Sequence, residues 1–195
     1  MKAVLISIQP KWCELIASGK KTIEVRKTRP KIETPFKCYI YMTAGDAIYP
    51  VTINGAPYTC SNVGGKCVIG EFVCDLIEPY WCALSKDEDI ESCEDVQLAC
   101  LSAREIKDYG GERDLYFWHI SDLVIYDKQR EINTFFTEGD CTCENCKKCR
   151  YFDRGNGYNV EDDCLLPYEY LGTGKTLKPL FRPPQSWCYV EGERE

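Results

Sequence analysis

Ser7-Ile8-Gln9-Pro10-Lys11-Trp12-Cys13-Glu14-Leu15-Ile16-Ala17-Ser18-Gly19-Lys20-Lys21-Thr22-Ile23-Glu24-Val25-Arg26 is the stretch that decides the fold. Ala3 to Ile8 is apolar enough for a buried strand, and Pro10 suits the first turn of a helix because its missing N–H has no intrahelical partner there. Trp12, Leu15 and Ile16 repeat at i, i+3 and i+4, which gives that helix one apolar face. Gly19 supplies the stop. From Thr22 the pattern changes to alternation, which predicts a strand with Thr22, Glu24 and Arg26 on one face and Ile23 and Val25 on the other. A carboxylate and a guanidinium then share a face beside Lys21. Strict alternation would put Lys21 opposite Glu24, so Lys21 must precede the regular strand or sit at a bulge.

Further along, strands are expected near 36–43 and over 66–78, and Asn54-Gly55 marks a hairpin between 46 and 62. The acidic run over 86–95 reads as a solvated loop, followed by a short helix near 95–100. Ser102-Ala103-Arg104-Glu105 is a capping box that starts another helix, ending at Gly110-Gly111. Leu115 to Tyr126 is rich in strand formers. Many strands and few, short helices predict a mainly β, α+β fold built on a small closed barrel.

The stretch Gly19-Lys20-Lys21-Thr22-Ile23-Glu24-Val25-Arg26 resembles the Gly-x-Lys-x-x-Glu-x-Arg hallmark of the ASCH domain, a branch of the PUA-like superfamily. Val68 to Val73, Leu115 to Ile120 and Pro183 to Trp187 extend that resemblance in diluted form. It implies a PUA-like β-barrel over residues 1–133 plus 173–195, interrupted by a Cys-rich insert over 134–172. It also implies RNA binding or recognition of a modified nucleoside. Some small bacterial ASCH-type proteins are amidohydrolases that cleave N4-acetylcytidine with a lysine, a threonine three residues later and a distant glutamate. Lys21 and Glu71 fall at plausible equivalents, whereas Glu24 stands where the threonine would be. Hydrolysis would then need water, with Glu24 or Glu71 as general base and Lys21 stabilising the oxyanion.

The 195 residues carry a net charge of −7. Residues 1–37 hold nine Lys/Arg against three acids, so the remainder is strongly acidic. A long nucleic acid needs a basic track to displace counterions, and most of this chain would repel phosphate. A compact ligand at a basic N-terminal face fits better. The first apolar run, Ala3 to Ile6, is too short for a signal-peptide core or a membrane span, so the expected location is cytoplasmic.

Fourteen cysteines are present. Five cluster as Cys141, Cys143, Cys146, Cys149 and Cys164, with two pairs at C-x2-C spacing, which suits a tetrahedral ion. The expected ligands are Cys143, Cys146, Cys149 and Cys164, with Cys141 as an alternative to one of them. Structural zinc is the leading metal and an iron–sulfur cluster the second choice. A protein partner for this insert is a further expectation. The single histidine, His119, lies in a strand-like run, which argues against histidine-based catalysis.

Four groups complete the expected site. Glu71 sits on an apolar strand where a carboxylate must be paired or face a cavity, and it forms one constellation with Lys21, Glu24 and Arg26 if their strands are neighbours. Near the C-terminus, Arg182, Ser186 and Trp187 offer a cation, a hydroxyl and an aromatic for a phosphate and a base.

Overall fold

The computed structural model describes residues 2–43, 51–53, 56–58, 67–81, 87–138 and 177–192. Strand β1 (Lys2–Ile8) leads into helix α1 (Pro10–Ala17), followed by β2 (Ile23–Arg26), β3 (Phe36–Met42) and a small hairpin of β4 (Val51–Ile53) and β5 (Ala56–Tyr58). The long strand β6 (Cys67–Tyr80) precedes three short helices, α2 (Asp87–Ser92), α3 (Glu94–Leu98) and α4 (Ala103–Gly110). Strand β7 (Leu115–Arg130), the pair β8 (Phe136–Glu138) and β9 (Leu177–Pro179), and β10 (Trp187–Glu191) complete the chain.

Six strands form one sheet in the order β10-β1-β3-β6-β7-β2, with β1 and β3 parallel and the other neighbours antiparallel. The apolar run of β1 marks it as a strand buried on both faces. Val4, Ile6 and Ile8 join one core with Ile40, Ile69, Phe72 and Trp118, while Ala3 and Leu5 join a second with Tyr39, Phe135 and Val190. Gly70 sits where the β6–β7 register shifts, and a Cβ there would lie 2.4 Å from the Val124 carbonyl oxygen. Only glycine allows that approach.

The expected barrel is closed through side chains at one seam. Edge strands β2 and β10 are separated in the hydrogen-bonding order, yet Trp187 Nε1 donates to Thr28 Oγ1 at 3.0 Å and Arg26 Nη1 reaches Ser186 Oγ at 3.5 Å. On the outer side of β2, Ile23 and Val25 pack against Ile90, Val96, Ala99 and Ile106 of the helical layer.

One local expectation is corrected. The acidic run near 86–95 is α2 rather than a loop. Asp87, Glu88 and Asp89 occupy its first turn, where they complement the helix dipole, and Ile90 is fully buried in the helical core. A single apolar residue in six is too sparse for periodicity to reveal.

Cys13, Cys38 and Cys74 are buried free thiols, their ionisation pushed up by burial, as small hydrophobes in a core should be. Cys67 is instead disulfide-bonded. Glu138 and Leu177 are paired in the β8–β9 ladder, so the chain leaves and rejoins the described fold at one place. Cys141, Cys143, Cys146, Cys149 and Cys164 lie outside the described residues. No helix among the described residues is long and apolar enough to cross a membrane.

Candidate functional site

Helix α1, the turn after it and β2 build the centre of the site. Gly19 takes φ +72°, and the amides of Lys20 and Lys21 both donate to the Leu15 carbonyl, which caps the helix and sets the direction of the chain. Lys21 therefore comes before the regular strand, as alternation required. The side chains of Glu24 and Arg26 then turn away from the helical core.

All three are buried: Lys21 is 2 %, Glu24 6 % and Arg26 7 % exposed. Arg26 Nη2 donates to the Ser7 carbonyl at 2.7 Å and meets Glu24 Oε1 at 3.0 Å. Lys21 Nζ donates to the Ala99 carbonyl at 2.7 Å and lies 3.6 Å from Glu24 Oε2. Burial lowers the Lys21 pKa, an effect the nearby Glu24 partly offsets. Glu24 Oε2 and Arg26 Nε are both buried without a hydrogen-bond partner. Buried polar atoms are nearly always paired in folded proteins, so the hydrogen bonding of this network is incomplete among the described residues.

A cavity of about 590 Å³ opens on the network. Ser7, Ile8 and Gln9 line it from the end of β1, Trp12 from α1, Glu105, Asp108 and Tyr109 from α4, and Gln185 and Ser186 from the segment before β10. That last segment is tied to β1, because Ser7 N donates to the Ser186 carbonyl at 2.8 Å and Ser7 Oγ to the Pro184 carbonyl at 2.7 Å. The Trp12 ring lies 3.9 Å from Lys11 Nζ and 5.1 Å from Lys21 Nζ. Burial pushes the Tyr109 hydroxyl above its ordinary pKa, with Arg26 acting in the opposite sense.

Other residues expected at the site lie elsewhere. Glu71 does not join Lys21, Glu24 and Arg26, because β6 and β2 are separated by β7. It accepts from Lys37 Nζ at 2.8 Å and from the Tyr126 hydroxyl at 2.6 Å. Trp187 is outside the cavity lining and packs against Trp118 and Tyr189, with ring centroids at 6.0 and 5.4 Å. Arg182 is exposed and also outside the lining. Ser186 is in it.

Trp12 packs against the core, as its helical spacing predicts, and lines the cavity as well, whereas Tyr109 carries no signal in the sequence that marks it for the site. Helical spacing cannot tell a core face from a cavity wall, and nothing local to Tyr109 says that α4 folds back over β2. His119 stands away from the cavity, with Nε2 3.0 Å from Glu78 Oε2. Glu78, Asp95 and His119 bring their donor atoms within 4.8 Å of one another, a spacing that an ion can bridge.

The basic N-terminal stretch is not a bare cationic face. Lys11 pairs with Glu105 at 3.2 Å, Lys37 with Glu71, Lys21 and Arg26 with Glu24, and Lys27 stands over the Tyr109 ring at 4.9 Å. Glu71 and Glu105, which neutralise two of these cations, come from the acidic remainder of the chain.

The sequence model described as the ASCH domain matches residues 6–131. The crystal structure of ASCH from Zymomonas mobilis resembles this fold with a TM-score of 0.53 at 18 % identity, covering 97 % of this chain and 87 % of that one. A point variant of the same Zymomonas mobilis protein gives 0.52 at 17 % identity, over 97 % and 88 %. At such identities the likeness concerns the fold alone. No curated protein matches the sequence.

Proposed function

The chain belongs to the ASCH domain family, and on that premise we propose that its cavity recognises a modified nucleoside or an unpaired RNA base. The observation that carries this reading is the buried Lys21–Glu24–Arg26 network, which lines the cavity and in which Glu24 Oε2 and Arg26 Nε have no hydrogen-bond partner among the described residues. One unpaired acceptor beside one unpaired donor matches the edge of a nucleobase, which presents both kinds of group. The cavity volume lies within the usual range for small-molecule sites, roughly 300–1,000 Å³. Trp12 and Tyr109 supply aromatic surfaces on which a base can stack.

Hydrolysis of an N4-acylated cytidine is the second reading, favoured by the 3.6 Å approach of Lys21 Nζ to Glu24 Oε2. With Glu71 held apart, this route has Glu24 alone as the base and Lys21 as the group that steadies the developing oxyanion. Zinc bound by Cys143, Cys146, Cys149 and Cys164, with Cys141 as an alternative ligand, is a proposal from the spacing of the sequence.

The test is calorimetric titration of the chain with the four ribonucleosides, N4-acetylcytidine and a short single-stranded RNA, with chromatography of the N4-acetylcytidine mixture for released cytidine. Saturable binding that is lost in Glu24→Gln supports the recognition pocket. Cytidine release that disappears in Lys21→Ala and Glu24→Gln, but persists in Glu71→Gln, would make the protein an amidohydrolase. Absence of binding and of release from folded protein refutes both.

A further inference from the structure

We infer that the cavity accepts the base and sugar of its ligand and turns phosphate away, so that a nucleoside binds in preference to its own monophosphate. This rests on the nucleoside form of the reading above, as opposed to the RNA-base form, and adds the discrimination between substrate classes.

Arginine holds phosphate best through a fork of two parallel N–H groups, either end-on through Nη1 and Nη2 or side-on through Nε and Nη2. Nη2 belongs to both forks. In Arg26 its two hydrogens are already directed at the Ser7 carbonyl, 2.7 Å away, and Glu24 Oε1, 3.0 Å away. Nη1 faces Ser186 Oγ at 3.5 Å. Only Nε is unpartnered, which is a single donor and suits a carbonyl or ring nitrogen. Lys21, the other buried cation, donates to the Ala99 carbonyl and lies 3.6 Å from Glu24 Oε2. Either cation would have to share a phosphate with Glu24, whose oxygens lie 3.0 Å from Arg26 and 3.6 Å from Lys21.

The α4 side of the lining is no more hospitable. It presents Glu105 and Asp108, and the cations beside them are engaged, Lys11 with Glu105 at 3.2 Å and Arg104 with Asp108 at 3.5 Å. Lys27 is not part of the lining. A phosphate held in the cavity therefore faces three lining carboxylates, Glu24, Glu105 and Asp108, against the two cations Lys21 and Arg26. Like charges a few ångströms apart near a protein surface weaken binding by about fivefold or more.

The experiment is titration of the full chain, at physiological salt, with the four ribonucleosides and N4-acetylcytidine, each compared with its 5′- and 3′-monophosphates. The expected result is that the bound nucleoside has at least fivefold higher affinity than either monophosphate, and that Asp108→Asn narrows the difference by about half. A monophosphate that binds as tightly as its nucleoside overturns this inference and leaves the nucleoside reading standing. A difference unchanged in Asp108→Asn overturns the part assigned to α4. Failure of every nucleoside and nucleotide to bind overturns both readings.

Discussion

Two carboxylates on the same sheet, Glu24 on β2 and Glu71 on β6, each meet a lysine, yet they are built for different ends. Glu71 has both oxygens satisfied, Oε1 by Lys37 and Oε2 by Tyr126, in a partly exposed setting where Lys37 reaches solvent. Glu24 is more deeply buried, faces two cations, and still has an oxygen without a hydrogen bond. A complete network holds strands together. An incomplete one, buried beside a cavity, is costly to fold, and the ligand we propose would complete it. Charge composition alone would rank the two alike; completeness separates them.

The sharpest way to break this comparison is Glu24→Ala. It leaves Lys21 and Arg26 buried without their carboxylate, and removing one partner of a buried pair costs about 3–5 kcal/mol. Urea unfolding should show that loss together with loss of nucleoside binding. A stability change below about 1 kcal/mol would mean the three groups are not mutually dependent.

Trp12→Ala addresses the cavity while keeping every charged group, although it takes an aromatic ring from beside Lys11 and Lys21. Loss of a stacking surface should weaken nucleoside binding by about 1–3 kcal/mol, read by calorimetry. Unchanged affinity would remove Trp12 from the ligand's surroundings.

Glu71→Gln should have the smallest effect, about 1 kcal/mol or less because its lysine partner is solvent-screened, with nucleoside affinity unaltered. The Glu71 pKa is below its ordinary value. Burial raises it, but the hydrogen bonds from Lys37 and Tyr126 and the charges of Lys37 and Arg130 outweigh that. Its contribution is therefore present above about pH 4.5 and is lost as pH falls through the lower folded value. Denaturation curves of wild type and Glu71→Gln should diverge at neutral pH and converge in acid. Loss of nucleoside binding in Glu71→Gln would erase the distinction between the two networks.

Local chemistry was readable in the sequence wherever neighbours in the chain create it. Pro10 and Gly19 bound α1, and the Ser102–Glu105 box caps α4 with both reciprocal bonds formed. Alternation over Ile23 to Arg26 separated an apolar face from a charged one and left Lys21 either ahead of the strand or at a bulge; it lies ahead of β2. Composition misled over residues 87–92, where one buried isoleucine among acids anchors a helix. Trp187 packs on Trp118 and Tyr189 and is not in the cavity lining, a placement its sequence context suits as well as stacking on a base, because the indole is amphipathic.

The sequence by itself determined α1, β2, the capped α4 and the face on which Lys21, Glu24 and Arg26 converge, because those follow from hydrogen bonds and periodicities spanning a few residues. Only the tertiary structure decided that β7 separates Glu71 from that face, that α4 brings Tyr109 and Asp108 to the cavity, and that Trp12 rather than Trp187 lines it. Strand order and helix docking depend on burial between residues far apart in the chain, and no short stretch of sequence contains that information.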